Sequence, residues 1–213
     1  WGLNSSLQIY MNTYFWEFKS IMIASFLGIY AMSTFTAFLL IPRLVLYLEK
    51  RSILLFSIAL AALIPPIPII LYINDILPDS GSWNLFFSLA PFIYIGNTCL
   101  SSSAIVRESM LGDISDEVEL ESKIGQQGLM FASSSLIGKL NTGLGILVAG
   151  LALEFIGFPR GSEILPNSDQ IFSLAMVQGP FVAVLMIVPF GIFFLYNIDR
   201  QKHNTILSQL DAR

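Results

Sequence analysis

The chain has 213 residues, of which 54% are hydrophobic and only 12% charged, and its formal net charge is −4. Soluble domains carry about 25% charged residues, so 11 Lys and Arg with 15 Asp and Glu are too few to wet the surface of a soluble domain of this length. That balance excludes a soluble globular enzyme, a nucleic-acid-binding protein and a disordered chain, and leaves lipid as the solvent that tolerates the composition.

Taken in chain order, residues 1–19 place Leu3, Leu7, Tyr10, Tyr14 and Phe18 at helical spacing, with Tyr14-Phe15-Trp16 as an interfacial belt. This segment reads as the end of a span. Five windows then reach the roughly 20 apolar residues that a bilayer crossing needs: 21–42, 52–73, 84–106, 128–158 and 171–198. The second carries Pro65-Pro66-Ile67-Pro68, the third Pro91, and the fifth Pro180 and Pro189. Neighbouring helices in a membrane bundle satisfy the carbonyls that such prolines free. The runs lack period-2 alternation, which excludes a transmembrane β-barrel. The expected fold is therefore an all-α polytopic membrane protein. Trp1 opens the chain without a leader pattern, so it reads as part of a longer protein. A single cysteine, Cys99, excludes a disulfide framework, and His203 alone in a polar tail excludes a His-rich metal site. No cofactor or metal is expected.

Arg43, Lys50 and Arg51, then Arg107 and Lys123, then Arg200, Lys202 and Arg213 fall on one side of these spans, against Lys19 and Arg160 on the other. The positive-inside rule puts loops 43–51 and 107–127 and the tail 199–213 in the cytoplasm. Lys139 stands apart, about 12 residues or roughly 18 Å into its span. A charge at that depth costs at least about 2.5–3.5 kcal/mol, and the lysine stem reaches neither surface. Such a residue faces a wet cavity or an acidic partner, or else it bonds backbone carbonyls as a structural lysine. No span holds a mid-depth acid, so an acidic partner is expected outside this chain. Ser134, Gly138, Thr142, Gly145 and Ala149 form a small-residue stripe on the same helix, suited to close packing, with Lys139, Ser135 and Gly143 on an adjacent face. Asn97, Thr98 and Ser101, with Ser102 and Ser103, make half of the third span polar. They suit a polyhydroxylated ligand, and equally they suit bonds to neighbouring helices. The acidic run Asp113, Asp116, Glu117, Glu119 and Glu121 faces loops bearing Arg43, Lys50 and Arg51. It reads either as a solvated surface or as a gate whose ion pairs form in one state of an alternating-access cycle.

Met110-Leu111-Gly112-Asp113-Ile114-Ser115-Asp116-Glu117-Val118-Glu119-Leu120, followed by Gly125-Gln126-Gln127-Gly128 and by Lys139 in a Gly-rich helix, resembles the helix 10–11 region of the glycoside–pentoside–hexuronide:cation symporters. That family is the melibiose-permease-like branch of the major facilitator superfamily. Pro42-Arg43 with Lys50-Arg51 is similar to its helix 8–9 loop, and Tyr14-Phe15-Trp16-Glu17 to the end of helix 7. Gly112, Gln127 and Glu49 depart from the usual residues, the last two at the charge pairing of the gate. The resemblance implies the C-terminal six-helix half of a major facilitator fold: the end of helix 7 plus helices 8–12. It also implies symport of a sugar or glycoside with Na⁺ or H⁺ across the plasma (inner) membrane, with most of the cation site in an N-terminal half absent from this chain. Lys139, Asn97, Thr98, Ser101 and Ser135 are then the substrate and coupling candidates, and Asp113, Asp116, Glu119, Arg43 and Arg51 the cytoplasmic gate. The expected partners are the bilayer, a small solute and the N-terminal half. An amphiphilic substrate such as a lysophospholipid, or a non-transporting receptor or scaffold on the same fold, are the alternatives.

Overall fold

The computed structural model describes residues 2–159, 165–187 and 200–211. Trp1, Arg160, residues 188–198 of the fifth expected span (Pro189 included) and Arg213 lie outside them. Among the described residues all regular structure is helical, and five helical stretches are long and apolar enough to cross a membrane.

Helix α1 (Gly2–Tyr10) continues into a π-helical turn over Met11–Phe15. Helix α2 spans Ser20–Tyr47 and carries Pro42 inside it. The uncharged window ends at Pro42, but Leu44, Val45, Leu46 and Tyr47 keep the chain apolar and helical past Arg43. Only Leu48 and Glu49 separate it from α3 (Lys50–Leu63). The proline cluster divides the second span: α3 stops before Pro65, and α4 (Pro66–Ile73) restarts with proline in its first turn, where a missing N–H is harmless.

Helix α5 runs unbroken over Trp83–Ser122, 40 residues or about 60 Å. The expected loop at 107–127 is therefore mostly a helical extension, with a turn left at 123–126. Hydropathy falls at Arg107, but the stretch holds no proline and Asp113 and Ser115 are buried within it, so packing carries the helix onward. It ends at Lys123, which adopts a left-handed φ of 60°. Helix α6 (Gln127–Ile156) closes on Gly157 at φ 70°, with Gly157 N–H donating to Glu154 O and Phe158 N–H to Leu153 O. This is a Schellman end, which favours glycine at the left-handed position. An Asn167–Gln170 capping box starts α7 (Ser168–Met176), and Gln170 Nε2 also donates to Gly157 O at 2.6 Å, tying the two helix ends together. A second π-helical turn, Val177–Phe181 with Pro180 inside, leads into α8 (Val182–Ile187). In the tail, α9 (Arg200–Asp211) docks on the α5 extension through buried Ile206 and a Lys202–Glu117 ion pair.

Helix α5 is the centre of the packing, in contact with α2, α3, α6 and α9. The larger core cluster joins Leu7, Met22, Phe26, Leu85, Leu89 and Leu174, and a smaller one joins Ile41, Ile53, Leu54, Val106 and Met110. The two fall at opposite halves of α2 and α5. Edge-to-face rings close the larger cluster: Phe15 and Trp16 against Tyr72, and Tyr10 and Tyr14 against Phe158.

Helices α1 and α6 approach through glycine. A Cβ on Gly145 would stand 2.6 Å from the backbone nitrogen of Leu3, and one on Gly2 would stand 2.5 Å from the carbonyl oxygen of Thr142. Thr142, Gly145 and buried Ala149 carry this contact, so one end of the small-residue stripe packs while Gly138 meets no neighbour. Without a hydrophobic drive between helices in lipid, such close approach supplies the attraction. Gly145→Ala is expected to destabilise by about 1–3 kcal/mol through overpacking, whereas Gly143→Ala, in open space, is neutral or stabilising by up to about 1 kcal/mol through helix propensity. Melting of the purified full-length protein in detergent distinguishes them.

Candidate functional site

Three of the sequence-derived candidates meet in one seam. Asn97 on α5 donates through Nδ2 to Ser33 Oγ of α2 at 2.6 Å, and the wholly buried Ser33 donates to Tyr30 O at 2.9 Å. One turn on, Ser101 Oγ and Thr34 Oγ1 share a hydrogen bond of 3.2 Å. One turn back, Tyr94 and Thr36 hydroxyls meet at 2.6 Å. Thr98 donates to Tyr94 O of its own helix at 2.7 Å. The i, i+4 spacing of Asn97 and Ser101 puts both on the side facing α2. Helix bridging thus accounts for Ser101 and back-bonding for Thr98, while Asn97 both bridges and borders a cavity.

Lys139 and Ser135 are elsewhere. They lie on the exposed face of α6, with Lys139 the thirteenth of its 30 residues and close to mid-length. Neither lines the cavity beside Asn97. The structure does not bring them together with the α2–α5 seam; they face out of the bundle, on the surface open to lipid or to another part of the protein.

Farther along α5, where it packs against α3, Lys50 Nζ donates to both carboxylate oxygens of Asp113 at 2.7 Å. The Asp113 side chain is 7% exposed and that of Lys50 21%. Lys50 is one of the three basic residues expected opposite the acidic run, although the gate candidates drawn from the resemblance were Arg43 and Arg51. Its place in the first turn of α3 is poor for a cation, which the helix dipole disfavours there, and the ion pair with Asp113 compensates. Asp116 accepts from Gln127 Nε2 at 3.2 Å across the turn between α5 and α6. Glu119 lies against Gly125 in that turn. Arg43 is exposed near the end of α2, and Arg51 is half-buried in the first turn of α3.

A cavity of about 150 Å³ lies inside the bundle between α1, the α3–α4 break, α5 and the second π-helical turn. Amides mark it. Gln178 Nε2 donates to Asn4 Oδ1 at 3.0 Å and to Gln8 Oε1 at 2.8 Å, and Gln8 Nε2 donates to Asn12 Oδ1 at 3.1 Å. The signal was present in the sequence: Asn4, Gln8 and Asn12 recur every fourth residue, beside the Leu3 and Leu7 stripe that was read as helical. Gln178 carries no such pattern, and its partners are fixed only by folding.

Together these features define a polytopic α-helical membrane protein with buried polar seams. Comparison with known proteins gives the family. The family described as MFS/sugar transport protein matches residues 1–200, and the chain belongs to it. Membership places it among membrane transport proteins and not among enzymes. An uncharacterized symporter of Synechocystis sp. is 27% identical over 141 residues, which cover 64% of this chain and 25% of that protein. The chain thus spans about a quarter of that relative. No solved structure matches.

Removing one member of a buried ion pair leaves the other charge less well compensated and costs up to about 3–5 kcal/mol. Lys50→Met is therefore expected to lower the melting temperature of the full-length protein more than the double variant Lys50→Met/Asp113→Leu. Equal losses would show that the Asp113 carboxylate left behind carries no penalty of its own.

Proposed function

We propose that the chain forms the C-terminal half of a secondary active transporter, which moves a sugar or glycoside together with Na⁺ or H⁺ by alternating access. In this reading solute and cation bind at the bilayer midplane between two six-helix halves. Lys139 is the observation that carries it: a lysine at mid-length on the exposed face of a 30-residue apolar helix. A mid-depth cation is retained at such cost when it faces a wet cavity or a partner acid. In the whole protein the α6 face would turn toward the preceding half, with Lys139 linking the cation to the solute and Ser135 beside it.

The Lys50–Asp113 pair and the Asp116–Gln127 contact take the role of the cytoplasmic gate, with Glu119, Arg43 and Arg51 around them. They hold α3, α5 and α6 together in the state described here, and a rocking of helices that separates them would open that side. The distribution of Lys and Arg supports a cytoplasmic position for this end and the tail, in a protein of the plasma (inner) membrane. The match to a sugar-transport family and the likeness to a symporter support the reading.

Uptake by the full-length protein tests it. A radiolabelled sugar panel should accumulate under an imposed Na⁺ or H⁺ gradient. Lys139→Ala should abolish accumulation by at least about 100-fold, the order of a 2.5–3 kcal/mol coupling term, with expression retained. Undiminished gradient-driven uptake in Lys139→Ala would remove the lysine from the mechanism. Absence of such uptake in the parent across the panel would overturn the transport reading itself.

A further inference from the structure

Gln178 is 6% exposed, and its amide is only half used. Both Nε2 protons are taken, by Asn4 and Gln8. Its Oε1 is fully buried and has no hydrogen-bond donor among the described residues. The amide's orientation goes with that of its amide neighbours. Turning the Gln178 side chain over by itself would set its oxygen against the oxygens of Asn4 and Gln8, so with these amides as placed the unpartnered atom is an acceptor. Buried amide oxygens are almost always hydrogen-bonded, because stripping one of its donor costs stability.

The surroundings narrow what the donor is. Gln178 lines the 150 Å³ cavity, and among the described residues that line it none carries a charge, so a cation or anion would meet no counter-charge from them. Asn4, Gln8 and Asn97 add further amides to the wall, and Trp16 adds an aromatic surface. The space follows from small side chains: Gly96 and Gly179 border it, and the backbone widens at Gln178 into a π turn, a distortion that recurs at functional sites. At about 30 Å³ per molecule the volume admits about five waters, or one small polyol in their place.

We propose that this intrabundle cavity is a binding site for neutral hydroxyl donors, in which Gln178 Oε1 accepts the ligand's hydrogen bond while its own N–H groups hold it to α1. The site is separate from the Lys139 face, and it stands whether or not the transport reading does. Water and the hydroxyls of a small polyol offer the same chemistry. Because Gln178 ties the π turn to α1, the ligand would complete a polar network that joins the first described helix to the last span.

Two measurements on the purified full-length protein separate the sources. In the first, erythritol and D-glucose are titrated while the melting temperature is followed, with glycine betaine as an osmolyte that has no hydroxyl. A saturable rise of about 2–4 °C with either polyol and none with betaine, lost in Gln178→Met and in Gly96→Val, assigns a polyol site. Gly96→Val adds bulk to the cavity wall from α5, where a Cβ meets only ordinary contacts with Ile64 and Pro65 at 3.7 and 4.0 Å. In the second, brief X-ray irradiation generates hydroxyl radicals from bound water, and oxidation of Met11, which is 2% exposed yet lines the cavity, is read by mass spectrometry. Rapid labelling of Met11 in the parent, reduced severalfold in Gly96→Val, assigns a water site. If the parent shows neither a saturable shift nor Met11 labelling above that of Met22, which is equally buried and does not line the cavity, the proposal is overturned, whatever the variants do.

Discussion

Hydrocarbon offers no hydrogen bonds, so every polar group that this chain carries into a span must find its partner inside the protein. Most of the small hydroxyls solve the problem locally. Ser25, Thr36, Ser88, Ser133 and Thr142 each donate to the carbonyl four residues back on their own helix. Groups that cannot do so dictate how helices meet. Asn97 reaches Ser33 across α2 and α5, and Gln178 reaches Asn4 and Gln8 between the last described span and α1. These bonds set which faces touch, and apolar packing fills in around them.

The same constraint explains where the helices are irregular. Backbone distortion at membrane depth is tolerated where protein covers it, and the three departures here cluster around one cavity: the Pro65-Pro66 break and the two π-helical turns at Met11–Phe15 and Val177–Phe181. Asn12 sits in the first π turn and Gln178 in the second, so each carries one of the buried amides. Straight apolar α6, by contrast, buries little more than Ala149 and holds to its neighbour through glycine contact.

Much of this was legible from residue order. Uncharged runs located the crossings, because a bilayer imposes a length and a polarity on each segment independently of its neighbours. Their ends were less legible. Arg43 and Arg107 end the uncharged windows, yet α2 and α5 continue, since a charge ends hydropathy without ending a helix. Asn97 and Ser101 were visible as a polar face, but only the fold shows that Ser33 and Thr34 oppose them. The candidate gate residues were legible as a charge pattern and not as pairs: Asp113 takes Lys50, a choice made by the α3–α5 packing rather than by spacing. Lys139 was conspicuous by its depth, and the structure sets it on the exposed face of α6.

Helix α5 is 40 residues long, about 60 Å, against a hydrocarbon thickness of roughly 30 Å. A rod so anchored behaves as a lever with unequal arms. Pivoting about 10° near the bilayer centre swings its far tip by roughly 8 Å while its near end moves about 3 Å. The long arm bears Asp113 and Glu117, the points gripped by Lys50 and by the tail helix. Small rearrangements around Asn97 are therefore geared up into large strokes at the tip, and whatever holds that tip still acts on the interior with mechanical advantage.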